Sequence, residues 1–301
     1  MAATTTERGY HNTSSSYVLP NDAIEQDRLD AQADAIVAMI GGDPFLAYNR
    51  HFTSASKAVD IGCGTGVATI QLAALLPSAK VVGVDITPVP APAISAASPR
   101  LQWETGNILD VDIEKQTDSL SQSALAPNSV DYFFGRMLFL GINDWRKYFQ
   151  VASLALQDQG IIEHQDLDWN FYRVGTDECL SDDWKWHALL MTAVKKAGLS
   201  DASGSNAASF MEMAGLKVIT AQKFEFSFVP SPKTPNSQAM GRYVQAKLMP
   251  NYPELMRKLL GLLNITNDEM EQLINDALRD LSSEEGIHQK YTVTIARKSI
   301  T

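Results

Sequence analysis

Three glycines alternate with other residues in Asp60-Ile-Gly-Cys-Gly-Thr-Gly66, and Asp85 closes the apolar run KVVGVDI that follows. Gly62, Gly64 and Gly66 allow a tight turn and let a ligand approach N–H groups at the start of a helix. Their spacing narrows the choice of ligand. A dinucleotide loop reads G-x-G-x-x-G/A, whose third position here is Val67, and no G-K-[ST] marks a triphosphate loop. Asp60 would repel a pyrophosphate but welcomes an ammonium. Asp85 is placed for a bidentate grip on ribose hydroxyls. S-adenosylmethionine (SAM) has both an amino-acid end and a nucleoside end, and S-adenosylhomocysteine (SAH) is what remains after its methyl group leaves.

Methyl transfer from a sulfonium is an in-line displacement that needs proximity above all, and a base only when the acceptor is protonated. IIEHQDLDW (161–169) offers Glu163, His164, Asp166 and Asp168 near the end of a strand. Alternation puts Glu163 and Gln165 on one face and His164 and Asp166 on the other. His164 is the candidate base, the competing reading being a hydrogen-bonded scaffold residue. Large apolar side chains recur where an acceptor would lie, and Trp169, Phe171, Met240 and Tyr243 are taken as a candidate substrate pocket, against the alternative that they are core. Cys63 reads as a small packing residue near the cofactor, and no metal site is implied.

The elements that must position these groups are an alternation of strands and helices. AVDI, the glycine turn, TGVATIQLAALL and KVVGVDI form a βαβ unit with a parallel sheet. Further strands are expected at 100–104, 129–135, 160–169, 216–229 and 290–298, with helices at 143–156 and 182–197. Asp22 caps an amphipathic helix over 22–40 that stops at Gly41-Gly42. About 60 residues separate the last two strands, too many for an ordinary connection. Helical patterns there at 236–248, 253–263 and 267–281, the last opened by the capping box Thr266 to Glu269, suggest a lid. The fold expected is α/β: a Rossmann-like, seven-stranded, mostly parallel sheet with helices on both faces, an N-terminal helical segment and a helical lid inserted between the last two strands. The expected division is a disordered tail over 1–16 and one domain over 17–301. Within it, 17–56 is a helical cap, 57–229 and 288–301 the core, and 230–287 the lid.

The chain has 301 residues, a formal net charge of −10, and two cysteines. The charge disfavours nucleic acid, and the two cysteines leave no disulfide framework. No apolar run reaches membrane-spanning length and the start lacks the apolar stretch of a secretory signal, so a cytoplasmic protein is expected. A small-molecule substrate is the expected partner, with no membrane partner; a homodimer is left open.

The string VDIGCGTG followed by VVGVDI resembles motifs I and II of class I SAM-dependent methyltransferases, and GNILD (106–110) resembles their third-strand motif. The resemblance covers roughly 57–170. It implies that Asn107 meets the adenine amino group and Ile108 its face, with Ile86 beside Asp85; by itself, Asn107 also suits a helix cap. YVLPNDAIEQDRLDAQ, GRMLFLGINDW and GIIEHQDLDW are similar to a fungal group of these enzymes that acts in secondary metabolism and includes a global regulator. That resemblance places Tyr17, Gly135 and Arg136 near the cofactor. Three functions are then open: methylation of O, N or S of a small, largely apolar secondary metabolite; regulation of secondary metabolism through protein partners; or a SAM-bound enzyme catalysing a non-methylating cyclisation or rearrangement.

Overall fold

The computed structural model describes residues 22–90 and 99–300. The tail over 1–16 and Tyr17 lie outside the described residues. Seven strands form one sheet: β1 (Lys57–Ile61), β2 (Lys80–Asp85), β3 (Leu101–Thr105), β4 (Val130–Arg136), β5 (Leu156–Tyr172), β6 (Leu216–Ser227) and β7 (His288–Lys298). They lie in the order β3-β2-β1-β4-β5-β7-β6. The first five pair in parallel, and β7 runs antiparallel between β5 and β6. The chain reverses its lateral direction between β1 and β4, the switch point outside which open α/β sheets bind ligands.

Helices cover both faces. On one face lie α1 (Ala23–Met39), α2 (Val67–Leu75) and α4 (Lys185–Lys196), with the insertion beside them; on the other lie α3 (Trp145–Ala155) and α5 (Ser203–Met213). The sheet separates two apolar cores, one built around Ile36, Leu72, Leu190 and Met256, the other around Tyr148, Phe149, Val151 and Met211. No helix among the described residues is long and apolar enough to cross a membrane.

Asp22 caps α1 as expected, its carboxylate accepting from Glu25 N–H, and Gly41 and Gly42 end it with φ of 107° and 89°. Its inward face is a surprise. Ile24 is exposed while Glu25, Arg28 and Gln32 are buried. Charged residues tolerate this because Arg28 Nε and Nη2 donate to the two oxygens of Glu25 at 2.9 and 2.6 Å, so each desolvated charge meets its partner.

Helix α5 has no counterpart among the expected elements. No side chain of its own caps SGSNAASFMEM. The cap comes from β5 instead: Asp168 Oδ1 accepts from Ser205 N–H at 2.9 Å, and Ser203 donates to Leu167 O at 3.0 Å. Gly204 brings the helix onto the strand, since a Cβ there would stand 2.5 Å from Asp166 O.

Between β6 and β7 the insertion folds as α6 (Gln238–Tyr243), a π-helical turn (Val244–Leu248), α7 (Tyr252–Leu260) and α8 (Asn267–Asp280). Thr266 caps α8 by accepting from Glu269 N–H at 3.2 Å. The π turn takes the place of the last five residues of the single α-helix expected over 236–248, and a short 3₁₀ turn at Met249–Asn251 follows it.

Candidate functional site

A cavity of about 240 Å³ opens where β1, β2 and β4 end, between the sheet and the roof made by α1 and α7. Its floor is the glycine loop. Gly62, Gly64 and Gly66 all have positive φ, 66°, 53° and 81°, which L side chains adopt only with strain. The loop's first N–H groups turn toward β2: Gly62 and Cys63 donate to Val84 O, and Gly64 donates to Asp85 Oδ2 at 2.9 Å. They are therefore spent within the protein rather than offered to an anion, which suits a ligand without a pyrophosphate.

Asp85 Oδ1 also accepts from the N–H and hydroxyl of Thr87, each at 3.0 Å. This fixes the carboxylate at the cavity wall, where it remains half-buried. Asp60 lies behind the loop and does not line the cavity. Thr69 donates to its Oδ2 at 2.6 Å, and burial pushes its pKa up to about 6, opposed by the Thr69 hydrogen bond and by Arg136. Cys63 lines the cavity, and its thiol is pushed well up by burial and by Asp60 and Asp85, so it is a packing group and not a thiolate.

The shape suits SAM on independent grounds. Above Gly64 a Cβ would meet only Leu29 Cδ1 of α1, at 3.6 Å, so a ligand has room there. In the cavity wall Arg136 Nη1 is buried without a hydrogen-bond partner, an unmet donor for a carboxylate. Ile86, Asn107 and Ile108 line the wall beside Asp85. Asn107 does cap the short helical turn after it, its Oδ1 accepting from Leu109 N–H at 3.0 Å, which orients the carboxamide.

Several proposed site residues stand elsewhere. Gly66 starts α2 and Gly135 sits within β4, both outside the lining; a Cβ at Gly135 would stand 2.3 Å from the Tyr148 hydroxyl. Of the proposed acceptor residues only Trp169 lines the cavity. Phe171 packs among Trp184, Trp186 and Phe228, and Met240 is core. Tyr243 instead ties the roof together, accepting from Arg28 Nη1 at 2.6 Å. Burial holds its hydroxyl above the usual phenol range, with Arg28 opposing.

His164 does not reach the cavity either. It is fully buried on the α3 side, with the rings of Trp145, Phe149 and Tyr148 at 5.1, 5.4 and 5.7 Å. Glu163, on the opposite face, is a structural anchor: it accepts from Leu46 and Ala47 N–H at 2.9 and 2.7 Å and from the Tyr132 hydroxyl at 2.9 Å. Burial raises its pKa against these bonds.

Sequence reasoning missed the strap after β4. Met137, Leu138, Phe139 and Leu140 line the cavity, and Met137 has φ 56°, a conformation that non-glycine residues adopt rarely and mostly under constraint. The signal lay in GRMLFLGINDW, where only Gly135 and Arg136 were singled out. Phe226, Phe228 and Tyr252 complete the apolar half.

A seven-stranded sheet with its last strand inserted antiparallel, and a glycine loop whose acidic partner sits at the end of β2, define a SAM-dependent methyltransferase fold and site. Residues 52–211 match the methyltransferase domain family, and the chain belongs to it. It is similar to Methyltransferase pytC of Aspergillus terreus, 24% identical over 96% of this chain and 85% of pytC. It is also similar to Secondary metabolism regulator laeA of Coprinopsis cinerea, 22% identical over 89% of this chain and 66% of that one. Among solved structures, the [4+2]-cyclase SpnF superposes with a TM-score of 0.51 at 15% identity, covering 90% of this chain and 82% of SpnF. Phosphoethanolamine N-methyltransferase 2 of Haemonchus contortus, in complex with SAM, superposes at 0.50 and 16% identity, covering 85% and 51%. SAM is the cofactor of this chain.

Proposed function

We propose that the chain transfers the SAM methyl group to an oxygen, nitrogen or sulfur of a small, largely apolar secondary metabolite. The observation that carries this reading is the continuity of the cavity. From the glycine loop it runs on between Phe139, Trp169, Phe226, Phe228 and Tyr252. Such walls favour a flat apolar acceptor, since each Å² of apolar surface they cover contributes roughly 25 cal/mol. The name of the fungal relative pytC, a methyltransferase, supports the same reading.

In this reading Asp85 accepts from the ribose hydroxyls, Asn107 and Ile108 hold the base, and Arg136 faces the carboxylate of the amino-acid end. Bound SAM supplies a methyl group made electrophilic by its sulfonium. The protein's part is to exclude water beneath α1 and α7 and to hold the acceptor in line, which proximity alone makes effective. His164 has no contact with the cavity through which to take a proton from the acceptor.

The test is incubation with SAM carrying a ¹³C-labelled methyl group and a panel of aromatic and polyene phenols, amines and thiols, read by mass spectrometry. Labelled small-molecule product and stoichiometric SAH support the proposal. An isomerised substrate without SAH would replace it with a rearrangement, as the cyclase fold relative allows, and label found only on protein would replace it with a protein acceptor.

A further inference from the structure

Asp166 is fully buried on β5 and is not in the lining of this cavity, yet it reaches the cofactor site through the backbone. Its Oδ2 accepts from Leu138 N–H at 3.1 Å and its Oδ1 from Leu167 N–H at 2.9 Å. The N–H just before, that of the left-handed Met137, donates to Gln165 O at 2.9 Å. Two consecutive N–H groups of the strap are thus pinned to two consecutive residues of β5. The pinning aims Leu138 between the two glycines beside it. A Cβ at Gly62 would lie 2.3 Å from Leu138 Cδ2, and one at Gly135 would lie 3.1 Å from Leu138 Cδ1. Leu138 therefore wedges the first glycine of the cofactor loop against the end of β4. His164 Nε2 stands 3.5 Å from the same Asp166 Oδ2 that holds the strap.

We propose that Asp166, backed by His164, is a positioning residue for the cofactor: it holds the strap in its strained turn so that Leu138 sets the height of the glycine loop. A buried carboxylate suits the task because it accepts on both oxygens, one for the strap and one for its own strand. An asparagine keeps the size but has one acceptor oxygen, so either Leu138 or Leu167 loses its partner and faces an amide N–H instead. His164 contributes by its place beside the carboxylate, not by contact with the acceptor. The strain at Met137 is what makes the anchor necessary: without it the turn relaxes and Leu138 withdraws from Gly62.

The proposal rests on the cavity being the cofactor site, and it can fail independently of that reading. Calorimetric titration with SAH is run on the wild type, on Asp166→Asn and on Met211→Ala, the last a core truncation on α5 away from the cavity that serves as a stability control. All three are compared at a temperature well below each melting point. The expected result is SAH affinity at least tenfold weaker in Asp166→Asn and within twofold of wild type in Met211→Ala. Asp166→Asn binding within twofold of wild type overturns the proposal alone, and a wild type that does not bind SAH overturns both readings. Should Asp166→Asn not fold, amide hydrogen exchange of the ligand-free wild type decides: protection at Leu138 comparable to the β5 amides supports the anchor, and free exchange there overturns it.

Discussion

Arg28 on α1 and Tyr243 on α6 meet at 2.6 Å, guanidinium to phenol, and this bond joins the N-terminal helix to the insertion between β6 and β7. The Glu25 carboxylate holds the other side of the guanidinium, so the clasp is a chain of three buried groups above an apolar cavity.

Removing the phenol should therefore loosen the roof. Tyr243→Phe removes that acceptor from Nη1 and is expected to destabilise the fold by about 1.5–3 kcal/mol, the range for a hydrogen bond to a charged group. For a chain of this size that lowers the melting temperature by roughly 2–4 °C per kcal/mol. SAH dissociation measured by stopped flow should accelerate in the same variant; an unchanged melting temperature together with an unchanged off-rate would show that the clasp does not hold the roof.

Asp85 holds the glycine loop and, in the function proposed above, the ribose as well. Asp85→Ala removes the acceptor of Gly64 N–H and of Thr87 as well as the proposed sugar contacts, and should weaken SAH binding by at least tenfold. Titration calorimetry checks this, and an affinity equal to wild type would remove Asp85 from the site.

Gly64→Val tests the space above the loop. At φ 53° a β-branched residue is strained, and its methyl groups would enter the room left beneath Leu29. SAH binding should be lost while circular dichroism stays that of the wild type. Retained binding would place the cofactor somewhere other than above Gly64.

The pH dependence of stability should carry the mark of Asp60. Its folded pKa of about 6 lies above the ordinary 3.8, so the folded state holds the proton more tightly than the unfolded chain. The contribution of this carboxyl to stability is then full below pH 4, falls as pH rises to 6, and is gone above it; the loss amounts to ~3 kcal/mol. Denaturation measured from pH 4 to 8 should show the wild type losing this increment relative to Asp60→Asn. Parallel curves for the two proteins would refute the assignment.

Much of this fold is legible in the amino-acid sequence, because its signals are local. The glycine loop, the alternating strands and the caps at Asp22 and Thr266 each depend on residues a few positions apart. What is hidden depends on distant partners. Helix α5 takes its N-terminal cap from Asp168 on β5, so no motif within 203–213 announces it. The buried face of α1 carries Glu25, Arg28 and Gln32, which periodicity reads as solvent-facing until Tyr243 supplies a reason for burying Arg28. In the site, alternation separates Glu163 from His164 correctly, but it does not say what covers each face. One is covered by the segment after α1, the other by α3, and neither meets the cavity. Trp169 and Phe171 lie in one core cluster, but Trp169 lines the cavity while Phe171 is covered by Trp184, Trp186 and Phe228, partners that alternation cannot name.

The position of β7 bears on how the chain acquires its shape. As a ribosome releases the chain N-terminus first, β1 to β5 can pair as successive parallel units, each joined to earlier chain. Strand β6 cannot, since its sole neighbour in the sheet is β7, and β7 emerges only after the whole insertion. Until then β5 and β6 both present unpaired edges, the kind of surface that recruits other strands. The late strand thus closes two edges at once, and these edges stay open while the insertion is being synthesised.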